Sequence, residues 1–351
     1  MQPIDKMLNR TDDPIELAYE AGWTDGLPVV PPTKERGNRF VDKIGRPPDE
    51  LIGEIPPKGG RATIEKIATN AVMAGCLPEH LPVVIAAIEA LLMPRFNLAS
   101  VQCSTHIATP LVIVNGPIAK ELCMNWGINC FGQGNRANAT IGRAVKLVLT
   151  DLGGALPGDE DRATFGHPGK YTYCIAENEE DNPWQPYHVE HDYTESESTT
   201  TVHPAEAPHN LNNHAADNPQ DLLTTFALSM AIPGCNNIHV MGDVLLVLGP
   251  EHAKIIADAG WTKNDIRAFL FEQARQPIEV LKLGGIVGND VHRNSLWPRW
   301  IDRDDDAFQV PLVRRPEDIH IIVAGGPGRH SLYIPGWGSR ITTARVMQPT
   351  A

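Results

Sequence analysis

The apolar and polar positions of this chain change rhythm several times, and together they predict an α/β protein. Residues 111 to 116, LVIVNG, form a continuous apolar run of strand length, and PIAKELCMNWG follows with the look of a helix. Residues 244 to 249, VLLVLG, repeat the arrangement and lead into PEHAKIIADAG. A third run, IHIIVAGGPG, supplies another strand. All three end in Gly-Pro, at Gly116-Pro117, Gly249-Pro250 and Gly326-Pro327, and each dipeptide is expected to close a strand and open a helix. Upstream, Ile64, Ile67, Ala68, Ala71 and Val72 recur at helical spacing, Gly75 ends that helix, and Pro78 starts the next, PEHLPVVIAAIEALL. The first 60 residues, with TDGLPVVPPT and IGEIPPKGG, read as an arm with little regular helix that packs on the body or on a neighbouring subunit.

The two strand-Gly-Pro-helix units align without a gap from His106 to Gly127 against His239 to Gly260, with five identities in 22 positions. The likeness extends backwards, IATNAVMAGC beside FALSMAIPGC, and forwards, IGRAVKLVL beside DIRAFLFEQA. Internal duplication is therefore expected, against the alternative that such units share composition for physical reasons. The chain divides into an N-terminal arm (1–60), a first α/β half (61–150), a loop-rich insertion (151–219) and a second α/β half (220–345). That division suits 351 residues, a length of about two domains.

Composition narrows the class. Hydrophobic residues make up 42% and charged residues 21%, as in an ordinary globular protein. No apolar run reaches the ~18 residues of a membrane span. The N-terminal sequence lacks the pattern of a signal peptide, so a cytoplasmic location is expected. Six cysteines without a C-x-x-C pair argue for reduced thiols over a disulfide framework or zinc ribbon. A formal charge of −13 and the absence of a basic stripe exclude a nucleic-acid footprint.

Within this frame several groups are candidates for chemistry. Cys76, in AGCLPEH, precedes a predicted helix whose amides and dipole would lower a thiol pKa, with His80 nearby as acid or base. Its rival role is to fill space at a helix corner. His106 and His239 are the paired histidines of the two units, and a pseudo-twofold would bring them to one cleft. FGQGNRANATIGRA offers Arg136, Asn138 and Arg143 around a helix start, an anion-binding arrangement that is neither a Walker A loop nor a dinucleotide fingerprint. TFGHPGK presents His167 and Lys170, and AGGPGRHS presents Arg329 on a Gly-rich turn. His188, Glu190, His191 and His209 are the alternative, a divalent-metal set without any H-E-x-x-H spacing. No motif implies a cofactor.

The stretches IGRAVKLVLTDLGGALPG, TFGHPGKYTYCIAENEEDNPW and GPEHAKIIADAGWTKNDIRAFL resemble a largely uncharacterised bacterial family whose members look like companions of small UGSC-type (seleno)proteins. The resemblance covers most of residues 60–340 and implies thiol or selenol redox chemistry nearby. It transfers no catalytic residue. This chain has no C-G-S-C motif, so such a redox partner would be a separate polypeptide.

The expectation is an enzyme, by preference a homo-oligomer, that acts on a small anionic molecule in a cleft between duplicated halves. Cys76, His106, His239 and His80 would do the chemistry, and elimination, hydrolysis and thiol redox all remain open. A metal-dependent hydrolase or lyase and a non-catalytic subunit docking a redox protein are the rivals.

Overall fold

The computed structural model describes residues 13–288 and 290–347. The arm is more regular than its composition predicts. Helix α1 (Pro14–Glu20) is capped by the Asp13 carboxylate and α2 (Lys34–Ile44) by the Thr33 hydroxyl, and β1 (Leu51–Ile55) pairs antiparallel with β2 (Gly60–Thr63). Side-chain caps satisfy the first amides of both helices, which is how Pro-rich flanks coexist with them. Phe40 and Ile44 of α2 then bury against the body.

The first half opens with α3 (Ile64–Ala74), α4 (Leu81–Leu91) and α5 (Leu98–Gln102). It continues through β3 (Thr109–Asn115), α6 (Pro117–Glu121), α7 (Arg136–Asp151) and β4 (Cys174–Ala176). Next come α8 (Tyr187–Glu190), β5 (Thr199–Ala205) and β6 (His209–Asn212). The second half runs α9 (Pro219–Met230), α10 (Asn236–Val240), β7 (Val244–Leu248), α11 (Pro250–Asp258) and α12 (Lys263–Gln273). A small hairpin, β8 (Arg275–Pro277) and β9 (Gln309–Pro311) with α13 (Ile278–Leu281) between them, leads to β10 (Ile319–Val323), β11 (His330–Ile334) and β12 (Thr342–Arg345).

Two four-stranded mixed sheets carry the fold, in the orders β4-β3-β5-β12 and β10-β7-β11-β6. In each, the strand that ends in Gly-Pro lies parallel to one neighbour and antiparallel to the other. The last strand of each half is exchanged: β6 pairs with β11 of the second sheet, and β12 pairs with β5 of the first. The two exchanged connections meet where Ala205 bridges Gly336.

Side-chain alternation stacks these sheets into four layers. Leu111 and Ile113 of β3 face Leu245 and Val247 of β7 in an apolar layer between the sheets. Val112 and Val114 face α3, α4 and α7, while Val244, Leu246 and Leu248 face α9 and α12. Strands buried on both faces need continuous apolar runs, and for that reason β3, β7 and β10 stand out in the sequence.

Three expectations change. The segment 151–219, read as a loop-rich insertion, contains β4, β5 and β6 and so supplies strands to both sheets. Thr199, Thr200, Thr201 and His203 of β5 are wholly buried, and their polarity disguised the strand. Gly326-Pro327 opens no helix but turns the chain into the antiparallel β11. His239 lies on α10, whereas His106 lies in the bend before β3. After α3 and α9 the repeated spacing is instead Cys76-x-x-x-His80 and Cys235-x-x-x-His239.

Candidate functional site

The thiol nominated first behaves contrary to expectation. Cys76 is buried and donates its Sγ proton to the Thr140 carbonyl at 3.3 Å. Burial pushes its pKa up to about 12, outweighing the Thr140 contact and the nearby Arg136 charge. A short 3-10 turn, Pro78–His80, separates Cys76 from the first amides of α4, where a helix dipole would act. His80 accepts the Leu77 amide at Nδ1 (3.2 Å), and burial first, then Arg136, lowers its pKa to about 4.

His106 and Cys76 belong to different environments. His106 Nε2 lies 2.7 Å from Glu206 Oε1, its Nδ1 accepts the Ala108 amide, and its ring stacks on Trp337 with centroids 4.2 Å apart. Because Nδ1 is an acceptor, Nε2 carries the proton donated to Glu206. Cys235 donates to the same oxygen at 3.9 Å, and its thiol pKa is pushed to about 12 by burial and then by the Glu206 charge. His239 Nε2 meets the Pro233 carbonyl at 3.0 Å, under Gly285, whose Cβ would strike the imidazole.

The nominated anion contacts are all engaged within the chain. Arg136 caps α3 through the Gly75 carbonyl (3.0 and 2.9 Å), and Arg143 holds both oxygens of Asp25 at 2.8 Å, pinning the arm to α7. Lys170 grips both oxygens of Asp161 (2.8 and 2.7 Å), and Arg329 donates to the carbonyls of His214 (2.8 Å) and Ala216 (3.1 Å). Asn138 brackets the Asn125 backbone and reaches the Cys130 carbonyl, and His167 Nδ1 accepts the Gly169 amide. Structural roles thus occupy every cation expected to bind substrate.

The alternative metal set is dispersed. Glu190 is neutralised by Lys263 (3.0 Å) and Arg267, His191 Nδ1 contacts the Tyr187 carbonyl, and His209 lies on the exposed strand β6. His188 is buried 3.6 Å from Glu179. Among the described residues no three His, Cys, Asp or Glu side chains are gathered to hold a metal ion. Nor is any single helix among them long and apolar enough to cross a membrane.

A cleft does exist elsewhere. It has a volume of about 270 Å³ and opens where the loop 127–132 of the first half meets the ends of β7 and β10 in the second. Phe131, Val247, Ala324, Pro327 and Leu332 give it apolar walls, and Cys130 and His330 are its titratable side chains. Cys130 is 5% exposed. Burial pushes its pKa up to about 11, while the amides of Cys130, Phe131 and Gly325 lie against the sulfur and pull it down. His330 Nδ1 lies 3.1 Å from Asn210 Oδ1, which fixes the ring at the cleft edge.

The Gly-rich turn behaves differently from the anion cradle it suggested. The Gly325 amide donates to the Trp126 carbonyl (2.9 Å), tying the two halves together, and the Gly328 amide donates to Glu251 Oε1 (2.7 Å). Glu251 of α11 pairs with Arg329 of this turn at 3.9 Å and no arginine or lysine is on the lining, so the cleft is electrostatically suited to an uncharged guest.

Sequence reasoning passed over Cys130 because NCFGQGN reads as a turn leading into α7. The signal that marks it is the third Gly-Pro turn, whose glycines give loop 127–132 room to approach: a Cβ on Gly326 would strike Ile128. No protein-family model matches the chain, and no curated protein matches it.

Proposed function

We propose that the protein is an enzyme acting on a small, uncharged, partly apolar molecule in the cleft between the two halves, with Cys130 as the thiol that meets it. The observation that carries this reading is the position of Cys130: it is among the residues lining the cleft, and backbone amides from both halves, Phe131 and Gly325, lie against its sulfur. At neutral pH the group is a thiol. Those amides stabilise the thiolate once a proton leaves, and His330 is the base within the same cleft. The chemistry supported is attack of sulfur on an electrophilic carbon, whose bond to a leaving group or π partner breaks as the carbon–sulfur bond forms, while the thiol proton passes to the imidazole and from there to the atom that takes the displaced electron pair. An anionic substrate has less support, since the expected cations are all paired.

Intact-mass screening of the native protein against a library of weakly electrophilic chloroacetamides tests this. Beside the unsaturable background labelling of exposed Cys123, the expected result is saturable adducts of neutral, partly apolar members that peptide mapping places on Cys130 and that are lost in a Cys130→Ser variant. Saturable adducts that persist in that variant, or a preference for carboxylate-bearing members, would overturn it.

A further inference from the structure

A second reactive arrangement borders the same cleft and uses oxygen instead of sulfur. Ser331, second residue of β11, is among the residues lining the cleft. Its Oγ lies 2.8 Å from Nδ1 of His252, the third residue of α11. His252 Nε2 lies 3.0 Å from the Asn213 carbonyl. A carbonyl can only accept, so Nε2 carries the hydrogen, Nδ1 presents its lone pair, and the Ser331 hydroxyl donates to it. The sequence of contacts is nucleophile, base and orienting acceptor, the recurring logic of activated hydroxyls.

The orienting end is held firmly. Asn213 Oδ1 accepts the amides of Ala215 (3.1 Å) and Ala216 (2.9 Å), and its Nδ2 donates to Thr225 Oγ1 at 3.0 Å. The His252 ring is fully buried and meets Phe226 edge-on, with centroids 5.4 Å apart. Burial holds its pKa below the ordinary histidine value, which keeps the base neutral and ready to accept a proton.

The cleft wall offers a complement to that pair. Among the described residues the Gly326 amide has no hydrogen-bond partner, unlike those of Gly325 and Gly328 on the same turn. The Gly249 amide donates to Ser331 Oγ at 3.1 Å and would steady an alkoxide there. Gly249 must lack a side chain for β11 to lie this close, because a Cβ would strike the His330 carbonyl.

We propose that Ser331 is a second nucleophile of this cleft, with His252 as its base and the Asn213 carbonyl as its orienting group, and that it cleaves small uncharged esters. In the step, Ser331 Oγ bonds to the acyl carbon and its proton moves to His252 Nδ1. The bond from that carbon to the leaving alcohol breaks, and the alcohol takes the proton from His252. Water then attacks the acyl-serine by the same route and releases the carboxylic acid. The inference rests on the cleft as the binding site but not on Cys130.

An uncharged alkyl fluorophosphonate, reacted with the native folded protein and with a His252→Gln variant and followed by peptide mass mapping, tests the proposal. The expected result is one adduct, on Ser331, formed in the wild type and slowed at least tenfold in His252→Gln. No adduct, or an adduct on another residue, overturns the proposal. Chloroacetamide adducts on Cys130 without a fluorophosphonate adduct on Ser331 would sink this inference and leave the thiol reading standing; loss of both would remove the cleft reading itself.

Discussion

The two turns at Gly116-Pro117 and Gly249-Pro250 occupy matching places in sheets of matching order, yet one is closed and the other open. At the first, the chain leaving β4 carries Glu177 and Glu179 back over the strand end. Glu179 Oε1 accepts the Gly116 amide (2.8 Å) and Asn115 Nδ2 (2.9 Å), and Glu177 accepts from Asn115, Asn182 and the Tyr187 amide. At the second, the chain leaving β10 carries glycines. Side chains that fill the first turn are missing from the second, where the space becomes the cleft that holds Cys130. One architecture has thus produced a cross-braced core end and a candidate reaction site, and the difference lies in the residues just past one strand of each sheet.

The largest expected effect comes from breaking the closed turn. Glu177→Ala would leave the buried Tyr187 amide without its acceptor and take one acceptor each from Asn115 and Asn182, at a cost of about 3–5 kcal/mol in a denaturant titration. A loss under about 1 kcal/mol would mean that the carboxylate is not a brace.

Glycine replacement sharpens the comparison. Gly116 has φ +83° and its Cβ would strike the Glu197 carbonyl, whereas Gly249 has φ −66° and would suffer only the strike on His330. Gly116→Ala should therefore cost about 1–2 kcal/mol more than Gly249→Ala, each measured by thermal unfolding. Equal losses would contradict the backbone argument.

Acid should weaken the whole fold before it reaches the carboxylates. Burial lowers the pKa of His80 and of His203 to about 4 and also lowers that of His252. Below the ordinary histidine value of 6.5 the unfolded chain takes up protons that these buried rings do not. Stability is thus fully present above pH 6.5 and falls as the pH drops toward 4. A melting temperature that stays level from pH 7 to pH 5 would count against neutral buried rings. The smallest effect belongs to the rims: Lys120→Ala, which removes the exposed Glu180 pair at the closed turn, should leave the melting temperature within the scatter of replicate scans.

Much of this was legible in the sequence, and the limits have physical causes. β3, β7 and β10 announce themselves because strands covered on both faces must be apolar throughout. β6, with the sequence HNLN, could not be read that way, since Leu211 is its one buried side chain and its partner lies more than a hundred residues away in β11. The strand exchange is invisible to local pattern for the same reason. Among site residues, the glycines of the third turn were noticed for their amides, yet their effect is to leave space. The arginines drew attention by their charge, but nothing in a sequence says whether a carbonyl or carboxylate of the same chain will reach them first.

The central claim is that Cys130, at the open turn, is the buried thiol available to small molecules. Iodoacetamide alkylation of the folded protein, mapped by peptide mass over a pH series, compares it directly with Cys76. Exposed Cys123 serves as the internal reference for intrinsic reactivity. The account predicts that Cys130 is alkylated while the protein remains folded, at a rate that climbs toward pH 11, and that Cys76 stays protected until global unfolding. Alkylation of Cys76 as fast as Cys130, or protection of both until unfolding, would contradict it.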